Sequence, residues 1–186
     1  MRRALDVVAA VVTLLVFAVP MLLVAAAVRA TSRGPSLYWS ERIGRYNVVF
    51  RMPKFRTMRQ DTPAVATHLL TDPQVFLTPI GRFLRRSSLD ELPQLFSILR
   101  GDMSIVGPRP ALFNQHDLIA MRTAQGIDAL MPGLTGWAQI NGRDDLSIPD
   151  KVALDAAYLK RRSILFDLQI ITMTILKVLV RDGVSH

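Results

Sequence analysis

The sequence contains no cysteine, only three histidines and fewer acidic than basic residues, and each shortage excludes some chemistry. Without cysteine there can be neither a disulfide framework nor a thiolate metal site. The histidines, at positions 68, 116 and 186, are too scattered to predict a zinc site. The excess of 23 basic over 15 acidic residues gives a net charge of +8, which predicts an anionic partner: nucleic acid, phospholipid or a phosphorylated small molecule.

A long apolar run distinguishes the start of this 186-residue chain, which is otherwise long enough for one domain with a real core. The 22 residues from Val7 to Val28 carry no charge, and as a helix they could cross a hydrocarbon layer of about 30 Å. A secretory signal peptide is the first rival interpretation, because Arg2 and Arg3 resemble its charged start. The length of the run and the interruption at Pro20 disfavour that interpretation.

The charges around this run bear on its path through a membrane. Arg2 and Arg3 precede it and Arg29 and Arg33 follow it, whereas positive residues prefer the cytoplasmic side of a membrane. A re-entrant helix that bends at Pro20 would return both flanks to the same side, since proline removes a helix hydrogen bond and kinks the chain. A single membrane-spanning anchor remains the alternative.

The remaining elements predict an α+β fold that is mostly helical, with a membrane segment at residues 1–33 and a globular domain at residues 34–186. Apolar and aromatic residues on either side of Gly44 predict a β-hairpin, and proline and glycine positions predict the helix ends. The predicted elements are hairpin strands at 37–39 and 48–52, a loop at 59–77, a helix starting with Thr78 as N-cap, and helices at about 89–99, 111–125 and 150–162.

The C-terminal segment predicts an amphipathic helix with an unusually broad apolar face. A narrow polar stripe at helical spacing comprises Ser163, Asp167, Thr174, Lys177 and Arg181. Almost all other side chains in the segment are aliphatic or aromatic. A face this broad is either buried against the domain or laid in a membrane interface, and both alternatives stay open.

Two adjacent acids, Asp90 and Glu91, precede an apolar helix in the stretch "SSLDELPQLF". One interpretation is structural, because Ser88 to Glu91 fits a capping box. With Ser88 as N-cap, however, Pro93 would lack a needed hydrogen bond, whereas with Asp90 as N-cap it would not. The two cap assignments exclude each other.

The alternative interpretation of the acid pair is chemical. Arginines surround it, and a helix N-terminus attracts phosphate. A carboxylate there could attack phosphorus, and Mg²⁺ would neutralise the site. The basic residues of "KFRTM", Lys54 and Arg56, and Arg109 on the rigid "GPRP" loop could bind a diphosphate. The competing hypothesis is a membrane-anchored protein that binds anionic lipid or nucleic acid without chemistry.

Three blocks in this order, "KFRTM", "SLDELPQLFSILRGDMSIVGPRP" and "PGLTGWAQINGR", closely resemble the bacterial sugar transferase family. This family comprises the monotopic phosphoglycosyl transferases, and the chain resembles their minimal catalytic unit. The resemblance implies transfer of a phosphosugar from a UDP-sugar to polyprenyl phosphate, usually undecaprenyl phosphate, with release of UMP. It also implies a covalent intermediate on an aspartate and a re-entrant N-terminal helix. Members often carry serine where Val19 precedes Pro20.

The resemblance also assigns roles to residues. Asp90 is implied as the nucleophile, and Glu91 is implied to hold Mg²⁺ or to position Asp90, so that both acids are candidate metal ligands. The candidate diphosphate- and nucleotide-binding residues are Lys54, Arg56, Arg85, Arg109 and Arg143.

The implied setting is the bacterial cytoplasmic membrane, with the catalytic domain on its cytoplasmic face. The expected partners are the UDP-sugar, polyprenyl phosphate, membrane phospholipid and downstream glycosyltransferases, and no nucleic acid. A chain that is both hydrophobic and basic suits an anionic leaflet surface and a diphosphate substrate. A scaffold that has lost its chemistry is disfavoured, because Lys54, Asp90, Glu91 and Arg109 are all present.

Overall fold

The structure, a computed structural model, describes residues 2–63, 72–142 and 145–180 and has the predicted α+β fold with helices predominating. The helices are α1 (Arg2–Thr31), α2 (Gly81–Arg86), α3 (Gln94–Arg100), α4 (His116–Ala124), α5 (Trp137–Ile140), α6 (Ile148–Arg161) and α7 (Ile164–Val180). The strands are β1 (Leu37–Ile43), β2 (Val49–Phe55), β3 (Ser104–Val106) and β4 (Gly133–Thr135). Short 3-10 turns occupy Arg45–Asn47, Pro73–Phe76, Leu89–Glu91 and Ile127–Ala129.

The predicted β-hairpin is confirmed and is longer than the sequence indicated. β1 and β2 pair antiparallel from Leu37 opposite Phe55 to Ile43 opposite Val49. The turn after Gly44 needs a left-handed backbone at Tyr46, where φ is 54°. One face of β2 packs on the domain, so side chains on that face are directed toward the chain segments around α3.

A second, parallel pair joins two of the sequence blocks. β3 pairs with β4, with Ser104 opposite Gly133 and Val106 opposite Thr135. The two segments approach each other so closely that a Cβ atom at Gly133 would overlap the backbone of Gly107. Glycine at these positions therefore lets the "GPRP" loop lie directly beside the "PGLTG" segment.

The main core lies beneath α4, α6 and α7. These helices pack around β3 through fully or almost fully buried side chains, because each helix presents an apolar stripe to the others. The buried residues of this core are Val106, Ala111, Leu118, Ile127, Leu130, Ile140, Val152, Tyr158, Phe166 and Ile170.

Helix α1 is attached to the domain at both of its halves. Ala10 is buried in a cluster with residues of β2 and α3, and Val28 is buried against Phe55 and Leu84. Between these two contacts its apolar side chains are largely exposed, with Val19 at 65%. Among the described residues, α1 is the one helix long and apolar enough to cross a membrane.

Polar contacts fasten the N-terminal end of α1. The Arg3 guanidinium donates to the Leu99 carbonyl at 3.1 Å, and the Asp6 carboxylate accepts from the Ser104 hydroxyl at 2.7 Å and from the Ile105 amide at 3.1 Å. Pro20 lies inside the helix rather than ending it. The re-entrant path through a membrane stays a prediction.

Several predicted boundaries differ from the structure. The Thr78 N-cap is wrong, because Thr78 instead closes a turn in which its carbonyl accepts from the Gly81 amide at 2.8 Å. α4 begins at His116 rather than near residue 111 because the preceding residues extend the "GPRP" loop. The helix predicted at 150–162 begins at Ile148, with the Ser147 hydroxyl accepting from the Asp150 amide at 3.2 Å. The described part of the predicted 59–77 loop includes a 3-10 turn, and residues 64–71 lie outside the described ranges.

Helix α7 buries part of its broad apolar face in the domain and leaves another part exposed, so that a position in a membrane interface stays a prediction. Phe166 and Ile170 are buried in the core, while Leu165 and Leu168 are 80% and 53% exposed. Within its polar stripe, Asp167 is directed inward, since it accepts a hydrogen bond from the Tyr158 hydroxyl at 2.8 Å. The exposed face of α7 is mostly apolar, with Gln169 and Thr172 as its polar members, whereas an ordinary surface helix exposes a polar face.

Candidate active site

Lys54 reaches the candidate site from strand β2. Side chains alternate along a strand, so Lys54 shares a face with Phe50 and Met52. Those two residues are buried against α3, which directs Lys54 toward the turn before that helix. There the Lys54 ammonium lies 3.0 Å from a carboxylate oxygen of Glu91.

Asp90 and Glu91 lie in a single 3-10 turn and not in the first turn of an α-helix. Ser88 precedes the turn with a left-handed φ of 55°, and its side chain makes no cap hydrogen bond. α3 begins only at Gln94, with Pro93 as its N-cap residue. Both predicted caps, the capping box from Ser88 and the Asp90 N-cap, are therefore wrong. The short turn leaves the acids directed into the protein.

Glu91 is held by two cations. One of its oxygens accepts hydrogen bonds from Lys54 and from the Arg109 guanidinium, each at 3.0 Å. Burial alone would raise the pKa of Glu91, but Lys54 and Arg109 outweigh it and hold that pKa far below its usual value. Burial lowers the pKa of Lys54 in turn. Glu91 is thus a fixed anion that keeps two cations in place.

Asp90 has the opposite electrostatic character. It is 7% exposed, and no described residue donates a hydrogen bond to its carboxylate. Burial raises its pKa to about 6, against the pull of Lys54, Arg85 and Arg109. Near neutral pH the group is an anion in a cationic environment, and it receives no hydrogen bond from the part of the chain that the structure describes. Such a carboxylate retains the nucleophilicity that hydrogen bonds would reduce.

Arg109 is positioned through its backbone as well as its side chain. The "GPRP" loop is fixed at one end by the β3–β4 pairing, where the Gly133 amide donates to the Pro108 carbonyl at 2.9 Å. The carbonyl of Arg109 itself accepts from the Arg122 guanidinium at 2.8 Å. Backbone and guanidinium of Arg109 are therefore both held before any ligand binds.

The pair of Arg122 on α4 and Asp155 on α6 was missed from the sequence. Two nitrogens of Arg122 donate to one oxygen of Asp155 at 2.9 and 2.6 Å, and Asp155 is 1% exposed. A signal was present: Asp155 lies three residues from both Val152 and Tyr158, on the buried stripe of α6. A charge on an apolar stripe predicts a buried partner.

Arg85 and Arg56 have different surroundings. The Arg85 guanidinium donates to the Thr57 hydroxyl at 3.0 Å and is among the charges that act on Asp90. Arg56 follows the end of β2, and its guanidinium donates to the carbonyl and the hydroxyl of Ser32 at 2.9 and 2.6 Å. It is not among the charges that act most strongly on Asp90 or Glu91.

The structure therefore brings together five of the predicted site residues, Lys54, Arg85, Asp90, Glu91 and Arg109. It directs Arg56 toward the linker after α1, and its predicted role in substrate binding stays a prediction. Arg143 lies outside the described residues.

Replacing Arg56 with lysine is expected to destabilise the protein by about 1–3 kcal/mol, because lysine cannot reproduce both charge-assisted hydrogen bonds to Ser32. Thermal unfolding in detergent measures this change, with Arg59→Lys as a control because Arg59 pairs only with the exposed Asp61 in the described part of the chain. An unchanged melting temperature would contradict this structural role and would leave the predicted role of Arg56 in substrate binding.

Comparison with known proteins identifies the family to which this chain is similar. The chain matches the family described as "Bacterial sugar transferase" over residues 1–181. It is 40% identical to the uncharacterized sugar transferase EpsL of Bacillus subtilis, covering all of this chain and 91% of the relative.

Two further relatives carry more specific names. The undecaprenyl-phosphate glucose phosphotransferase of Komagataeibacter xylinus is 44% identical, over 94% of this chain and 35% of its own length. The UDP-glucose:undecaprenyl-phosphate glucose-1-phosphate transferase of Caulobacter vibrioides is 39% identical, over 98% of this chain and 71% of its own. The chain thus spans only about a third of the Komagataeibacter relative. On the full-length match and these identities, this chain belongs to the bacterial sugar transferase family.

Proposed function

We propose that this protein transfers a phosphosugar from a UDP-sugar to polyprenyl phosphate, with Asp90 as the nucleophile. The observation that carries the proposal is the contrast between the two adjacent acids. Glu91 is neutralised by Lys54 and Arg109, while the buried Asp90 carboxylate receives no hydrogen bond from the described residues. Family membership and the names of the relatives support the same reaction class.

The first step uses the ionised Asp90. One carboxylate oxygen attacks the phosphorus that carries the sugar, and the bond from that phosphorus to the oxygen bridging the two phosphates breaks. UMP leaves with the bonding electrons, and an acyl phosphate links Asp90 to the sugar. Lys54, Arg85 and Arg109 would stabilise the charge that moves onto the leaving phosphate.

The second step transfers the phosphosugar to the lipid. An oxygen of polyprenyl phosphate attacks the same phosphorus, the acyl phosphate bond breaks, and the Asp90 carboxylate is restored. The product is a polyprenyl diphosphate sugar, and the charges balance without a redox partner. The arginines that bind the first leaving group are available to bind the incoming phosphate.

The site suits Mg²⁺ as the cofactor. Mg²⁺ in nucleotide enzymes is usually held by one or two carboxylates together with substrate phosphates and water, rather than by a full protein cage. Asp90 and Glu91 supply two adjacent carboxylates, and the described residues contain no cluster of three metal-ligating side chains. Bound there, Mg²⁺ would neutralise diphosphate charge.

We further propose that α1 enters the membrane from the cytoplasmic side and returns to it. Both halves of α1 pack on the same domain, whereas a helix that crosses a bilayer approaches a domain on one side near one end only. Pro20 and the arginines on both flanks favour a bend inside one leaflet. This position would bring Asp90 to the headgroup level, where the lipid phosphate lies.

The sugar is the open part of the specificity. Relatives of similar identity are named for glucose and for galactose, so identity alone does not select the donor. The deciding experiment is intact-protein mass spectrometry of the detergent-solubilised protein with Mg²⁺ and a panel of UDP-sugars, without lipid acceptor. We expect a mass gain of one phosphosugar with the correct donor and none in Asp90→Asn.

Two outcomes would overturn parts of this proposal. Normal transfer after addition of polyprenyl phosphate, without any adduct beforehand, would replace the covalent intermediate with direct transfer in a ternary complex. Absence of transfer from every UDP-sugar would overturn the reaction itself.

A further inference from the structure

One cleft of about 1410 Å³ includes the acid pair and extends well beyond it. Pockets for small molecules usually occupy about 300–1000 Å³, so this cleft is larger than a sugar nucleotide needs. Part of its lining is polar and basic, around Asp90 and Arg109. Another part, called the apolar lobe below, is lined by Leu92, Ile105, Leu134, Ile171, Ile175 and Val178.

Helix α7 forms one wall of the apolar lobe. Ile171, Thr174, Ile175 and Val178 follow the spacing i, i+3, i+4, i+7, which places them on one face of the helix. The single polar residue in this stripe is satisfied, because the Thr174 hydroxyl donates to the Ile170 carbonyl at 2.8 Å. This wall therefore offers apolar contacts to a ligand.

Apolar side chains that pack on one another connect the acid pair with α7. Leu92 follows Glu91 directly in the sequence and packs in the same cluster as Ile105 and Leu134. Ile105 also packs, with Ile171 of α7, against the main core. An apolar path thus starts one residue from the acid pair and ends at the last turns of α7.

The cleft is lined by residues of both helices that expose many apolar side chains, α1 and α7. Thr13 of α1 lines the same cleft as the α7 residues, and the neighbouring Val12 and Val16 of α1 are 53% and 67% exposed. On α7, Leu168 and Leu176 are exposed at 53% and 55%. A ligand in the lobe would therefore lie between surfaces that suit hydrocarbon.

We infer that the apolar lobe binds the isoprenoid chain of the lipid acceptor, in the units next to its phosphate. The inference rests on the proposed function, because it joins an isoprenoid chain to a phosphate at Asp90. The sugar, diphosphate and uridine of the donor are polar and gain little from an aliphatic wall. A branched hydrocarbon chain would bury this wall and leave its phosphate among Lys54, Arg85 and Arg109.

The test narrows the lobe without changing its polarity. Ile171→Trp and Ile175→Trp place a bulky apolar side chain on the cleft-facing stripe of α7. Leu176→Trp makes the matched change away from the cleft-facing stripe of the same helix, where Leu176 is exposed. KM for polyprenyl phosphate and KM for the UDP-sugar are measured separately in detergent micelles, after thermal unfolding has shown that each variant folds.

We expect the cleft-facing variants to raise KM for polyprenyl phosphate about tenfold, because the bulkier side chain overfills the apolar site. KM for the donor should stay within about twofold of the wild-type value. Leu176→Trp should leave both constants near those of the wild type. Ile175 is itself half exposed, so its variant tests the lobe even if Ile171→Trp fails to fold.

Three results would overturn the inference. They are an unchanged acceptor KM in both cleft-facing variants, an equal rise in both KM values, and an acceptor KM that rises equally in Leu176→Trp. A wild-type protein that transfers no phosphosugar at all would instead overturn the proposed function, so the two failures are distinguishable.

Discussion

Replacing Asp90 with asparagine is expected to stabilise the metal-free protein while abolishing transfer. Burial raises the pKa of Asp90 from its usual 3.8 to about 6, so its ionisation costs the folded state roughly 3 kcal/mol relative to the unfolded chain. Asparagine keeps the size of the side chain and removes the charge. It also removes the oxygen anion that would attack phosphorus, so no covalent intermediate can form.

The pH dependence of this gain has a definite sign. A carboxyl group whose folded pKa is raised binds more protons in the folded than in the unfolded state between about pH 4 and pH 6. The wild type therefore loses stability as the pH rises through this window, and the loss is constant above it. The advantage of Asp90→Asn should be close to zero near pH 4 and largest at neutral pH.

Thermal unfolding of the detergent-solubilised protein in EDTA, at several pH values from 4 to 8, measures the difference between wild type and Asp90→Asn. Asp61→Asn is the matched control, because Asp61 is 59% exposed and its variant should stay within about 0.5 kcal/mol of the wild type. A less stable Asp90→Asn at neutral pH, or a difference that does not change with pH, would contradict the electrostatic account of the site.

Local sequence signals predicted those parts of the fold that are determined by neighbouring residues in the chain. The hairpin around Gly44 and the non-helical "GPRP" loop followed from turn residues and apolar alternation, and the structure has both. The predicted caps at Ser88 and Thr78 are wrong for different reasons. The Thr78 hydroxyl donates to the Thr57 carbonyl, which is distant in the sequence, and Ser88 adopts a left-handed φ and makes no cap hydrogen bond.

The orientation of α7 could not be read from its periodicity. In a protein surrounded by water, a polar stripe marks the outward face of a helix. Here Asp167 and Thr174 face partners inside the domain, and Leu165 and Leu168 are exposed. Periodicity locates the stripe but cannot say whether the surroundings are water or hydrocarbon.

The candidate site was predicted from motif residues, and its arrangement was not. Lys54 and Arg109 both donate to one oxygen of Glu91, although they lie 37 and 18 positions away from it in the sequence. Such convergence also disfavours the alternative of an anion-binding protein without chemistry, since binding surfaces of that kind spread their cations along a helix or groove.

Among the substitutions proposed for this protein, those that break the buried pair of Arg122 and Asp155 should lower the free energy of unfolding most. Asp155→Asn leaves the Arg122 guanidinium, whose side chain is 11% exposed, without its carboxylate partner. Removing one member of a buried ion pair costs about 3–5 kcal/mol, because the other charge stays out of water. Asp117→Asn on α4 is the control, since Asp117 is exposed and its variant should unfold like the wild type.

A double replacement separates stability from positioning. Arg122→Met with Asp155→Leu removes both charges and fills the space with apolar groups, which should recover most of the lost stability. It still removes the donor that holds the Arg109 carbonyl at 2.8 Å. We therefore expect the double variant to unfold near the wild-type temperature but to show KM for the UDP-sugar raised by about tenfold, with a smaller change in kcat.

A double variant with wild-type stability and a raised donor KM would identify Arg122 as a positioning residue for Arg109. A purely structural pair predicts that regained stability brings back full activity, and a double variant with wild-type KM would establish that simpler role. A raised donor KM in a stable protein would show that the two helices fix the "GPRP" loop for diphosphate binding. The position of Arg109 in the site would then depend on the pair of Arg122 and Asp155, which joins α4 to α6.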